Sequence, residues 1–128
     1  MRIAYVDSSC CIAISLGEPG SRDLLSRLDR FDRLYSSNLL EAELKSALAR
    51  EATSIVLRDF LPWMLWIFPP RRLTLEINQI LEEGHLKGPD LWHLACALFL
   101  RSKVEDLAFL TLDKRQGSIA HSLGFRGF

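Results

Sequence analysis

Short apolar runs that end in an aspartate and give way at once to a helical pattern open and close this chain, and that alternation constrains its fold more than any other feature. Ile3 to Val6 is one such run, a buried strand ending at Asp7; Ser8 or Ser9 can then cap a helix through Cys11, Ile12 and Ile14 to a stop at Gly17. Ala108 to Leu112 is the other, ending at Asp113 and followed by a last helix to Leu123 and a stop at Gly124. Between them, a pattern from Ser21 to Leu34 places Leu24, Leu25, Leu28 and Phe31 on one face of a second helix, before a short strand around Leu34 to Ser36. Asn38 is placed to cap a helix from Leu39 to Arg50, and Thr53 or Ser54 opens a further helical segment. After Pro62, Trp66, Ile67 and Phe68 form a strand ended by Pro69-Pro70. Thr74 caps a short helix with Ile77, Ile80 and Leu81 inward, stopped by Gly84. Gly88-Pro89 then precedes a long helix from Asp90 to about Ser102, hydrophobic almost all round and therefore central. Strands alternating with helices predict an α/β fold, a three-layer α/β/α sandwich around a mostly parallel sheet.

With 128 residues, 48% of them hydrophobic, the chain can bury one core, so a single domain over residues 1–128 is expected. Sixteen basic and sixteen acidic residues cancel, which excludes an acidic disordered tail and a general basic coat for nucleic acid. Basic surface must then be local, at pairs such as Arg71 with Arg72, Arg101 with Lys103, or Lys114 with Arg115. Cys10, Cys11 and Cys96 lie in apolar stretches; an odd count with two adjacent fits neither a disulfide framework nor a zinc motif, and reads as buried thiols of a cytoplasmic protein. The first apolar run is broken by Asp7 and Ser8 and is no signal peptide. The longest apolar stretch, Phe60 to Phe68, contains Pro62 and falls far short of the roughly 20 residues a membrane helix needs, so no membrane partner is expected.

The chemistry lies in the carboxylates. In an open parallel sheet, ligands sit outside the carboxyl ends of the strands, where helix N-termini also point. Asp7 and Asp113 stand at such ends, and Asp90 lies at the N-terminus of the buried helix, where unpaired N–H groups favour the ionised form. On a helical wheel Glu43 falls between Leu39 and Ala47, inside the arc that carries Leu40, Leu44 and Leu48. A carboxylate inside an apolar arc needs a partner. Glu41, near the edge of that arc with Lys45 one turn on, reads as a surface ion pair. Each acid also has an ordinary structural role open to it: Asp7 and Asp90 as N-caps, Asp113 opening a turn, Glu43 reaching to solvent. Converging on one crevice, however, they would repel one another unless a cation neutralised them, and hard oxygen ligands suit Mg²⁺ or Mn²⁺.

These residues resemble those of PIN domains, in particular the VapC toxins of bacterial and archaeal toxin–antitoxin pairs, over essentially the whole chain. Ala4-Tyr5-Val6-Asp7-Ser8-Ser9 is similar to the family's first strand with its first acid and following hydroxyl. Ser37 to Leu48 resembles the helix that carries the second acid, here Glu43. Gly88 to Leu98 resembles the family's Asp-x-x-His-x-Ala-x-Ala helix start, with Asp90 as third acid, and Leu110 to Arg115 the last strand and fourth acid, Asp113. The resemblance implies a ribonuclease in which Asp7 and Asp90 bind Mg²⁺ or Mn²⁺ directly. Glu43 and Asp113 would bind the metal or its water, Thr111 and Ser8 would add hydroxyl contacts, and a homodimer and an antitoxin partner are implied as well. The chain departs from the pattern at Trp92, where a small residue is common, at Pro89, and in the aromatic Phe60 to Phe68 run, which bear on groove shape or protein contacts. That run is a candidate surface for a second copy or the antitoxin, or plain core. His93 reads as a buried, hydrogen-bonded structural residue. A haloacid-dehalogenase-type phosphatase would need a second Asp where Ser9 stands. A PIN-like module that binds RNA or protein without cutting is the other reading, against which the four retained acids argue.

Overall fold

A strand apolar at every position has to be covered on both faces, and the two outermost strands of the sequence are completely buried. The computed structural model describes residues 1–51 and 59–128. Its elements run β1 (Ile3–Val6), α1 (Ser8–Ser15), α2 (Ser21–Leu28), β2 (Arg33–Ser37), α3 (Leu39–Arg50), β3 (Leu65–Ile67), α4 (Thr74–Glu83), α5 (Gly88–Arg101), β4 (Leu107–Leu110) and α6 (Lys114–Ser122), with one 3-10 turn at Leu61–Trp63 before β3. The strands are ordered β3-β2-β1-β4 and every pairing is parallel, Tyr5 lying level with Tyr35 on one side and Phe109 on the other.

The period of two along each strand divides the interior into two cores. Ile3, Tyr5, Leu107 and Phe109 face one way, onto Ile80 of α4, Leu94 of α5 and Ile119 of α6. Ala4, Val6, Ala108 and Leu110 face the other, onto Ile14 of α1, Leu28 at the end of α2, and Leu40 and Leu44 of α3. The three-layer α/β/α sandwich follows directly. Full burial of a residue such as Leu40 or Leu94 contributes about 1.5–3 kcal/mol. Among the described residues no helix is long and apolar enough to cross a membrane.

Several boundaries differ from the sequence expectation, each for a local reason. The helix expected from Ser21 to Leu34 stops at Leu28, because the Asp32 N–H donates to the Arg2 carbonyl at 2.7 Å and draws the chain into pairing with β1. Asn38 makes no side-chain cap; the Ser37 hydroxyl accepts the Leu39 N–H instead, at 3.3 Å. Thr74 is the first helical residue of α4 rather than its cap, and Leu81 is 43% exposed rather than inward. Helix α5 starts at Gly88, since Pro89 in the first turn has no N–H to leave unpaired. The strand expected from Trp66 to Phe68 is Leu65–Ile67, an edge strand. The Phe60 to Phe68 run is divided between core and surface: Phe60, Met64 and Ile67 are buried, whereas Trp63, Leu65 and Phe68 are exposed. The helical segment expected to open at Thr53 or Ser54 lies outside the described residues.

The strand order has one consequence for function. From β1 the chain moves to β2 and β3 on one side, then returns to place β4 on the other side of β1. The switch point of the sheet is therefore between the carboxyl ends of β1 and β4, where a crevice opens in folds of this kind.

Candidate active site

Both strand-end acids cap the helices that follow them. The Ser9 N–H donates to Asp7 Oδ2 at 3.1 Å, and the Gln116 N–H donates to Asp113 Oδ1 at 2.8 Å. The two corners are stitched together because the Asp7 N–H donates to the Leu110 carbonyl and the Leu112 N–H to the Ser9 hydroxyl, at 2.9 and 3.0 Å. Thr111, one residue beyond β4, accepts the Asp113 N–H at 3.0 Å and sits 3.3 Å from Asp7 Oδ2. The hydroxyl that meets Thr111 is that of Ser9; Ser8 is buried as the first residue of α1.

Gln116, wholly buried, joins three elements. Its Oε1 accepts the Thr111 hydroxyl at 2.7 Å, while its Nε2 donates to Asp7 Oδ1 at 3.3 Å and to the Asp90 carbonyl at 3.1 Å. Thr111 has a single proton, and the shorter contact assigns it to Gln116. Asp7, only 3% exposed, is thus oriented by the Ser9 amide and the Gln116 side chain.

Asp90 is the third residue of α5 and caps nothing: Lys87 holds the cap position. Desolvation raises the pKa of its carboxyl above the usual range, and the nearby charges of Asp7, Asp113 and Glu43 raise it further, with His93 acting against them. The four acids singled out in the sequence therefore share one electrostatic field. The crevice is not closed around a common centre, for among the described residues no three His, Cys, Asp or Glu side chains are grouped so as to hold an ion together. Glu43, from the middle of α3, is engaged with His93 Nε2 at 2.5 Å, and His93 Nδ1 lies 2.7 Å from the Tyr5 hydroxyl. Glu41 forms the expected exposed pair with Lys45 at 2.8 Å.

A pH dependence follows from Asp90. Its folded carboxyl holds its proton more tightly than the usual value of 3.8. Its favourable contribution is therefore complete below that value and is lost as pH rises through the raised one. Asp90→Asn is expected to raise the melting temperature of the metal-free protein at neutral pH and to leave it unchanged below about pH 3. Melting curves across that range check it; a gain that persists at acid pH would exclude charge repulsion as the cause.

Sequence reasoning missed Gln116, Ser9 and Tyr5. Gln116 carried a readable signal, because it shares an apolar stripe with Ile119 and Ala120, the same oddity that marked Glu43 on α3. Nothing in the pattern around Tyr5 distinguished a hydrogen-bonding phenol from core.

The family model described as the PIN domain matches residues 4–122 of the chain. No curated protein sequence matches it. Among solved structures, a chain of VapBC-1 from nontypeable Haemophilus influenzae superposes with a TM-score of 0.63 at 16% identity, covering 98% of this chain and 96% of that one. A chain of VapBC2 from Rickettsia felis, solved bound to a DNA fragment from their promoter, superposes with a TM-score of 0.62 at 14% identity, covering 98% and 97%. At such identities the likeness is one of fold.

Proposed function

Because the chain belongs to the PIN domain family, its match running from residue 4 to residue 122, we propose that it is a metal-dependent ribonuclease and the toxin of a VapBC-type toxin–antitoxin pair. The observation that carries this reading is the Asp90 carboxyl, disfavoured as a charge by desolvation first and then by the charges of Asp7, Asp113 and Glu43, at the switch point of the sheet. Acids gathered into mutual repulsion are what a bound divalent cation would relieve. Four carboxylates with no cysteine among them fit Mg²⁺ or Mn²⁺ by charge and by donor type.

Asp7 and Asp90 would hold the ion, with Glu43 and Asp113 as ligands or as acceptors for its bound water. When bound, the ion supplies an acidified water and neutralises charge on the phosphate of the RNA. The chain's own part is orientation. The Ser9 amide and the Gln116 amide fix Asp7, and Thr111 ties that network to the start of α6. Its fold likeness to chains of VapBC structures supports an antitoxin partner, and the homodimer and cytoplasmic setting are proposed with it.

Incubating the purified protein with RNA tests the reading. Cleavage is expected with Mg²⁺ or Mn²⁺, loss of cleavage in EDTA, and recovery when the metal is restored, with Glu41→Gln cutting as the parent does. Cleavage that persists in EDTA would defeat the mechanism, and a protein that binds RNA with metal present but never cuts would establish the binding module instead.

A further inference from the structure

A buried chain of hydrogen bonds runs from the backbone of β2 through Tyr5 and His93 to Glu43. The Ser37 N–H, which can only donate, donates to the Tyr5 hydroxyl oxygen at 3.0 Å. That oxygen lies 2.7 Å from His93 Nδ1, and His93 Nε2 lies 2.5 Å from Glu43 Oε1. Tyr5 and His93 are both fully buried, whereas the Glu43 side chain keeps 23% exposure. The fold builds this line from four separate elements: Ser37 at the end of β2, Tyr5 on β1, His93 one turn after the start of α5, and Glu43 on α3.

Proton counting fixes the roles. A neutral imidazole has one N–H, and a bare Nε2 facing the Glu43 carboxylate would set lone pair against lone pair, so Nε2 carries the hydrogen. Nδ1 is then an acceptor, and the only proton that can fill the contact is that of the Tyr5 hydroxyl, whose oxygen is already accepting from Ser37. The phenol keeps that proton, because burial pushes its pKa far above the usual value. The neighbouring Cys96 thiol also stays protonated, pushed up to about 12 by burial, and is a poor competitor as acceptor.

We propose that Tyr5 and His93 are positioning residues for the crevice: the Tyr5 hydroxyl selects the Nε2–H tautomer of His93, and that N–H holds Glu43 by Oε1. Among the described residues Oε2 has no hydrogen bond, so Glu43 offers a single oxygen to an ion or its water. Neither residue touches substrate. The proposal rests on the metal-nuclease reading for its purpose, while the ring spectrum tests the relay without any metal.

Two measurements on the metal-free protein decide it. Correlating the ring nitrogens of His93 with its carbon-bound protons by NMR is expected to show the neutral Nε2–H tautomer in the parent and a mixture in Tyr5→Phe; an Nδ1–H tautomer in the parent would overturn the proposal. Titration with Mn²⁺ alone is then expected to show roughly 10- to 100-fold weaker binding in Tyr5→Phe, the loss typical of outer partners of metal ligands. In a Glu43→Gln background the Tyr5→Phe change is expected to have no further effect, since a Gln amide can face either tautomer. Equal losses in both backgrounds, or an unchanged affinity in folded Tyr5→Phe, would also overturn it. If Tyr5→Phe fails to fold, His93→Gln and His93→Leu take its place: Gln retains a donor toward Glu43 and is expected to keep most of the Mn²⁺ affinity, and Leu to lose it. A parent that binds no Mn²⁺ would sink the metal reading while leaving the ring spectrum to decide the relay.

Discussion

Asp7→Asn is expected to lower RNA cleavage by more than about 100-fold, since even the outer partners of metal ligands cost 10- to 100-fold when lost. Asn keeps the outline of Asp and removes the charge that holds a hard cation, so water activation and phosphate neutralisation fail together. Asp90→Asn is expected to abolish cleavage equally, and the two variants should part company in stability. Asp90→Asn removes a charge disfavoured by desolvation and then by repulsion from the other acids. Asp7 instead sits between the Ser9 N–H on Oδ2 and the Gln116 Nε2–H on Oδ1, so either orientation of an Asn amide turns its NH₂ toward another donor. Asp90→Asn is therefore expected to match or exceed the parent in stability without metal, whereas at Asp7 one opposed donor costs about 1–3 kcal/mol. Cleavage assays with parallel melting curves of metal-free protein check both; an Asp7→Asn variant that still cuts would defeat the site.

Gln116→Leu is expected to destabilise the protein by at least about 2 kcal/mol and to reduce cleavage as well. The substitution nearly conserves volume, so the loss comes from polar groups rather than from a cavity. Asp7 Oδ1, the Asp90 carbonyl and the Thr111 hydroxyl all give up their bond to this one amide, in a position with no exposure to water. Because the same amide orients Asp7, cleavage should fall at temperatures where the variant is still fully folded. Denaturant unfolding read beside the assay tests this; a variant as stable as the parent, or one destabilised yet fully active, would show that Gln116 only fills space.

Much of the site was readable from the chain because its signals are local. Asp7 and Asp113 follow apolar runs directly, so the strand ends announced them; that Asp7 rather than Ser8 or Ser9 caps the first helix, and that Asp113 caps the last, came from the structure. Glu43 was conspicuous because a charge interrupts an apolar arc, and the rule that such a charge needs a partner led to the right conclusion without naming the partner. His93, read as a buried hydrogen-bonded residue, is that partner. The exposed half of the Phe60 to Phe68 run was harder: in an all-apolar stretch, periodicity cannot separate the buried Met64 and Ile67 from the exposed Trp63, Leu65 and Phe68, and only the position of β3 at the sheet edge does.

The order of strands and helices among the described residues, the parallel sheet and the choice of the four acids as candidates followed from the sequence alone, since alternating patterns, turn residues and caps act over a few neighbouring residues. Tertiary structure decided the rest. Pairing of Asp32 with Arg2 ended α2 early, the return of β4 to the far side of β1 placed Asp7 beside Thr111 and Gln116, and the meeting of His93 on α5 with Tyr5 and with Glu43 on α3 made the line from Ser37 to Glu43. Each of these is a contact between residues far apart in the chain, formed only when two apolar faces have already met. No local pattern encodes which distant partner a buried polar group will find.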